Sequence, residues 1–147
     1  MAKNKRAFSL LDVLLAVAAF SILAGIVILA INPYRQLATM RNAQRWVNIN
    51  TILDAVYQYS VDNKGVFPTT IPAASTAICR NASPCGALVD LSALTVNGKY
   101  VVALPRDPKS ATANNSYYYI KKSATTGRIT VSASRTENGI GTISVTR

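Results

Sequence analysis

Hydrophobic and polar residues divide this chain into three stretches of different rhythm. From Val13 to Ile31, nineteen consecutive positions hold one polar residue, Ser21. No period separates a wet face from a dry one, so the stretch predicts a helix that is apolar all round. At 1.5 Å per residue it spans roughly 28 Å, close to the thickness of a bilayer's hydrocarbon core. Residues 34–62 contain no Pro or Gly. There Met40, Ala43, Trp46, Ile49, Leu53, Val56 and Tyr59 recur at spacings of three and four, with Ile52 widening the stripe, while Arg41, Arg45, Asn48 and Gln58 fall largely on other faces. This pattern predicts an amphipathic helix whose stripe packs on a head, with Gly65 as its stop. The two helical stretches together read as one rod of about 55 residues, bent near Pro33, which removes a helix hydrogen bond.

Beyond residue 62 the rhythm shortens. Gly65, Pro68 and Pro72 punctuate an excursion over 63–78, and Cys79 and Cys85 bound a small loop. "ALVDLSALTVNG" suits a short helix or turn closed by Asn97-Gly98, and "KYVVAL" reads as a strand. After the loop "PRDPKSATANNS", the segments "YYYIKK", "RITVSAS" and "TISV" read as strands separated by turns at Thr126-Gly127 and "ENGIG". Neither the strands nor the helical stripe could bury an apolar surface alone. The expected fold is therefore α+β, a long N-terminal helix packed against a small antiparallel sheet of three or four strands.

Charge refines this picture. Lys3, Lys5 and Arg6 precede the apolar run, while Arg35, Arg41 and Arg45 follow it more sparsely, so the N-terminus is expected in the cytoplasm and the head outside. A cleaved secretory signal is the rival reading. Its apolar region is shorter, and here the run ends directly in Asn32 and Pro33, which favours retention. Ser21 and Gly25 have the spacing that lets membrane helices approach closely, and that is also ordinary membrane-helix composition. The 147 residues carry a net charge of +10. Residues 63–147 contribute ten basic and three acidic side chains of it. Two cysteines without a histidine are the wrong company for zinc; a local Cys79–Cys85 disulfide suits a head outside the cytoplasm, and two free thiols is the other reading.

Nothing in the chain supports enzymatic chemistry. It has no His, no Gly-rich phosphate loop and no nucleophile elbow. Asp90 and Asp107 read as cap or turn residues, and no acidic cluster marks a calcium loop. No cofactor or metal is expected. Asp12 is the exception that asks for a role, because a carboxylate at the edge of an apolar helix is costly without a partner.

The order "KRAFSLLDVLLAV" resembles the processing motif of type IV prepilins and type II secretion pseudopilins. In that family a short basic leader ends in a small residue, a membrane peptidase cuts after it, and the new N-terminus is methylated. The resemblance places the cut between Ala7 and Phe8, the methyl group on Phe8, and the family's acid on Asp12. Ala7 stands where Gly is usual, and Asp12 where Glu is usual, one methylene shorter. "INPYRQLATMRNAQRWVNINTILDAVYQYSVDNKGVFP" is similar to the pilin-type helix running into its first loop, and the "PRDP", Tyr-rich and "ENG" segments look like a small pseudopilin head.

The resemblance implies a leader over 1–7, a membrane and assembly helix over 8–32, an amphipathic helix over 33–62 and an extracytoplasmic head over 63–147. It implies a pilin-like fold and partners of three kinds: further copies of the chain in a helical filament, the prepilin peptidase, and a pilus or secretion assembly platform. Asp12 would meet the Phe8 amine of a neighbour and set the axial register. Such a filament serves as a surface pilus for adhesion or twitching, or as a pseudopilus that pushes cargo through an envelope. Two other readings stand beside it. A signal-anchored protein with an unrelated head would make Asp12 a snorkelling interfacial residue. A subunit that captures DNA would use its basic head: Lys99, Arg106, Lys109, Lys121, Lys122 and Arg128, with Arg135 and Arg147, are candidate contacts to an anionic surface, next to Tyr117, Tyr118 and Tyr119. Strand alternation puts Tyr118 on one face and its two neighbours on the other.

Overall fold

Ser9 opens the first helix. Its backbone is extended, its hydroxyl accepts the Leu11 N–H at 3.3 Å, and the Asp12 carboxylate reaches back to accept the Ser9 N–H at 3.1 Å. This reciprocal capping box satisfies donors that a helix end leaves open. The computed structural model describes residues 9–80, 84–109 and 114–147; the expected cleavage and methylation positions, Ala7 and Phe8, lie outside the described residues. Helix α1 runs Leu10–Ile31, and its 22 residues are all exposed. It is long and apolar enough to cross a membrane. The Ser21 hydroxyl donates to the Val17 carbonyl at 2.8 Å, so the polar atom inside the apolar run is satisfied within the helix. A Cβ added at Gly25 would meet nothing within 4 Å.

Asn32 separates the two helices. Its φ of 47° and ψ of 79° are left-handed, a conformation Asn tolerates better than most residues. The Asn32 side chain and carbonyl both accept the Arg35 N–H, at 3.3 and 3.0 Å, and so cap α2, Pro33–Asp62. Pro33 takes the first position of α2, where a missing N–H costs nothing. The expectation of a Pro33 kink inside one continuous helix is thereby corrected: helical hydrogen bonding stops at Asn32, and Pro33 begins a second helix. Lys64 and Gly65, both at positive φ, end α2, with the Gly65 N–H donating to the Ser60 carbonyl at 2.8 Å.

The chain divides at residue 37 into an N-terminal unit and a head, residues 38–147. Within the head, α2 buries Ala38, Asn42, Arg45, Ile49, Ile52 and Val56, a face of alternating three- and four-residue steps, widened by Asn48, Leu53 and Ala55. The predicted stripe therefore holds in its upper half and fails in its lower half. Ile49, Ile52, Leu53 and Val56 are core, but Met40, Ala43 and Trp46 are exposed, and Arg45 and Asn48 point inward. The inward face of the lower half is polar because its partners are polar loops of the head.

Four antiparallel strands lie in the order β1–β2–β3–β4: Thr76–Cys79, Asn115–Lys122, Ile129–Ala133 and Ile143–Thr146. The chain is thus α+β, a long N-terminal helical half followed by a small antiparallel sheet, with α2 laid on the sheet in the expected pilin-like manner. Tyr118 and Ile120 of β2, Ile129, Val131 and Ala133 of β3 and Ile143 of β4 share one core with the upper half of α2. Strand β1 lies where an irregular excursion was expected. "KYVVAL" forms no strand: single 3₁₀ turns at Ser92–Leu94 and Val96–Gly98 lead into it, Leu104 is buried and Val102 is 86% exposed. Cys79 and Cys85 are joined by a disulfide.

The two faces of α2 differ in their expected sensitivity. Leu53→Ala should cost about 2–5 kcal/mol by leaving a cavity, and Trp46→Ala under about 1 kcal/mol. Denaturant unfolding of the full chain in detergent measures both; equal losses would contradict the assigned faces.

Candidate functional site

Two constellations carry the chain's unusual chemistry. The first is the start of α1. Asp12 is its sole acid, and one carboxylate oxygen, Oδ2, accepts the Ser9 N–H. The expected register residue is therefore also the residue that closes its own helix end. The signal for this was local, a Ser three positions before an Asp at the head of an apolar run.

The second lies in the head, where the lower half of α2 meets two loops. Arg45 is fully buried and gripped from two sides. Its Nε and Nη2 donate to Asp107 at 2.6 and 3.1 Å, and its Nη1 donates to Asn42 at 2.9 Å and to Glu137 at 3.2 Å. Asp107, also fully buried, accepts the Lys109 N–H at 2.9 Å, which shapes the "PRDP" loop. Glu137, from the loop between β3 and β4, takes a bidentate pair from Arg41 at 2.6 and 2.8 Å and an ion pair from Lys109 at 2.7 Å. Asn42 ties the same loop by its backbone, donating to the Glu137 carbonyl at 2.9 Å and accepting its N–H at 3.1 Å. Asn48 donates to the Tyr118 hydroxyl at 2.7 Å, which links the network to β2. Among the described residues no buried side-chain nitrogen or oxygen lacks a partner. Sequence reasoning placed Arg45 outside and read Asp107 as a turn residue; the pair joins positions 62 apart.

Electrostatics follow from this geometry. The Arg41 guanidinium, helped by Lys109 and Arg45, holds the Glu137 carboxyl far below its ordinary range. Hydrogen bonding to Asp107 pushes Arg45 further up, and burial raises the Tyr118 hydroxyl. Three cations thus meet two carboxylates. This arrangement is a structural clamp that ties two loops to α2.

The candidate anionic-surface contacts separate into groups. Lys99 pairs with Asp62 at 2.6 Å, lies 4.8 Å from the centre of the Tyr100 ring, and is pushed up by Asp62. Lys109 serves Glu137, and Arg147 pairs with Asp54. Lys122 lies over the Phe67 ring at 5.4 Å. Arg106, Lys121 and Arg128 are exposed and form no ion pair among the described residues, so the structure does not gather the expected set into one patch. Among the described residues no group of three or more His, Cys, Asp or Glu is placed to hold a metal. No family model, curated protein or solved structure matches the chain.

Replacing Arg45 by Met strands the buried Asp107 and should cost about 3–5 kcal/mol, whereas pairing that change with Asp107→Leu should recover most of the loss. Urea unfolding of single and double variants checks this; a single-variant loss under about 1 kcal/mol would show the pair to be dispensable. Glu137 gives a pH dependence of fixed sign. Its carboxyl titrates lower in the folded than in the unfolded chain, so its contribution is complete above the ordinary value of 4.5 and is lost as pH falls below it towards the folded value. Thermal unfolding should therefore show a steeper acid decline in the parent than in Glu137→Gln; parallel curves would refute the clamp.

Proposed function

We propose that the chain is a structural filament subunit of the type IV pilin or type II secretion pseudopilin kind. It is made with a leader over 1–7, cut between Ala7 and Phe8 by a prepilin peptidase and methylated on Phe8. It then waits in the cytoplasmic membrane with its N-terminus inside and its head outside. The observation that carries this reading is an all-round apolar α1 with a single carboxylate in its first turn. Lipid can cover the apolar surface but offers Asp12 no counter-charge. A neighbouring copy, delivered by the assembly platform, offers both: another apolar helix, and the amine freed at Phe8. Repeated head-to-tail contacts of this kind do not close, so they build a helical fibre for a surface pilus or an envelope pseudopilus. The lower half of α2 supports the same reading. It turns Met40, Trp46 and Val47 outward, 67%, 47% and 59% exposed, while burying Arg45, Asn42 and Asn48. That pattern suits a helix covered from outside by its neighbours.

Asp12 has two roles to separate, because it also caps α1. Asp12→Asn keeps an oxygen for the Ser9 N–H and removes the charge; Asp12→Ala removes both. Both variants should stay in the membrane and yield little or no fibre, counted by electron microscopy of sheared cell-surface material. Normal fibre yield from Asp12→Asn would defeat the register role. Mass spectrometry of the parent from cells holding the peptidase should find a chain beginning at methylated Phe8; an intact Met1 terminus would argue instead for a plain signal anchor.

A further inference from the structure

The four-stranded sheet has two edges, and the head closes one of them. Outside β1 the chain returns alongside: the Cys79 N–H donates to the Val89 carbonyl at 2.8 Å, and the Val89 N–H donates to the Ala77 carbonyl at 2.9 Å. Among the described residues no segment pairs outside β4. Ile129 and Arg147 exchange both backbone bonds, at 2.9 and 3.1 Å. The antiparallel alternation therefore turns the N–H and C=O groups of Ser144 and Thr146 away from β3. Among the described residues these four groups have no protein partner. The strand "ISVT" has no charged residue, no Pro and no register slip, devices that commonly blunt an edge; only its four-residue length limits it.

Strand β4 runs beside one flank of α2. Before it, the Asn138 side chain donates to the Thr39 hydroxyl at 3.3 Å; at its far end, Arg147 pairs with Asp54 and donates to Asn50 at 3.5 Å. Thr39, Trp46, Asn50 and Asp54 follow one another at steps of seven and four, so they share that flank. The Asn50 amide also donates to the Trp46 carbonyl at 2.9 Å. Trp46, the chain's single tryptophan, therefore stands between the two points where the β3–β4 arm meets this flank, and it is 47% exposed. Met40 and Val47 lie further round the helix. A strand added outside β4 would run about 4.8 Å beyond it and turn alternate side chains toward the Trp46 flank. The edge thus offers unpaired backbone groups to a main chain and a half-covered indole to a side chain.

We propose that the open β4 edge takes up an extended acidic segment of a partner protein as a fifth strand, with an apolar side chain of that segment against Trp46. Paired N–H and C=O groups at strand spacing select a polypeptide, because a nucleic acid or polysaccharide has no matching run of donors and acceptors. Charge selects the sign. Residues 38–147 carry twelve basic and five acidic side chains, and each of the five acids already holds a cation or a backbone N–H within the head. Arg128, next to the Ile129–Arg147 pair, is exposed and forms no ion pair among the described residues. Pairing of β4 with β4 of a second copy would set two cationic heads edge to edge with no spare acid between them, which favours an acidic partner over another copy.

The proposal does not rest on filament assembly and is tested on the unassembled full chain in neutral detergent micelles. The probe is a peptide of about eight residues that alternates Glu and Val, read by anisotropy when fluorescein-labelled and by Trp46 emission when unlabelled. Saturable binding with a blue shift of the Trp46 emission is the expected result. Affinity should fall at least roughly tenfold when the peptide nitrogens are methylated, and again when Lys replaces Glu. Thr146→Pro removes an outward N–H at a position where an edge strand tolerates proline, and should abolish binding; Thr146→Val keeps that N–H and should bind like the parent. The methylated peptide carries the same test on an unaltered chain, should Thr146→Pro fail to fold. A parent that does not bind, a methylated or Lys-bearing peptide that binds as well as the first, or Trp46 emission unmoved at saturation would overturn the proposal. Self-association of the parent that Thr146→Pro abolishes would give the edge to a second copy and overturn it too.

Discussion

Fourteen large apolar side chains of α1 stand exposed around a single carboxylate. Removing each from water is worth about 1.5–3 kcal/mol. The sum exceeds the few to fifteen kcal/mol by which a whole domain is ordinarily stable. Where this helix resides is therefore decided by what covers it. In the proposed function, lipid would cover it for a solitary chain. Another copy of α1, as proposed, would cover it equally well in apolar terms and would add a charge for Asp12. The capping box shows how Asp12 is tolerated meanwhile: its charge lies at the positive end of a helix dipole and accepts a backbone N–H.

The part of α2 within the head is built in two halves. Its upper half has an ordinary core, Ile49, Ile52, Leu53 and Val56 against the sheet. Its lower half is reversed, with charge inside and apolar side chains outside. The buried Arg45–Asp107 pair is expensive to desolvate and adds little net stability over an apolar pair of the same shape. What it supplies is geometry. Arg45 also holds Asn42 and Glu137, so one side chain fixes the "PRDP" loop and the β3–β4 loop to the same stretch of α2. Those loops are where a small head would otherwise be loosest. The Cys79–Cys85 bond ties the last residue of β1 to Cys85, and the α2 end is closed by Gly65.

Much of this was legible in the sequence, and the misses have physical causes. The all-apolar run could only be a lipid- or protein-covered helix, and the alternation in "YYYIKK" and "RITVSAS" could only be paired strand. Arg45 was read as solvent-facing because a lone arginine on a helix is cheapest in water; its partner is 62 positions away, and no local rule reaches that far. "KYVVAL" has strand residues but pairs with no strand: it follows directly on the 3₁₀ turn at Val96–Gly98, and its Val101 N–H donates locally to the Leu94 carbonyl at 3.2 Å. "TAIC" was missed because four residues after a Pro-rich excursion are too few to show alternation, and β2 supplies the template. Pro33 was read as a kink within one helix because proline breaks helices in general. Asn32 before it is a better cap than a helix interior, and the break falls one residue earlier. The cations could be counted from sequence, but which of them would be cancelled depended on which face of the sheet each one took.

The most direct test of the central constraint is a reconstruction of assembled fibres by electron cryo-microscopy at side-chain resolution. The expected map has α1 from many copies packed along the fibre axis, the Asp12 carboxylate of one copy within hydrogen-bonding distance of the Phe8 amine of another, and Met40 and Val47 against neighbouring helices. A fibre held together through the sheets, with α1 on its outside and Asp12 facing solvent, would contradict it.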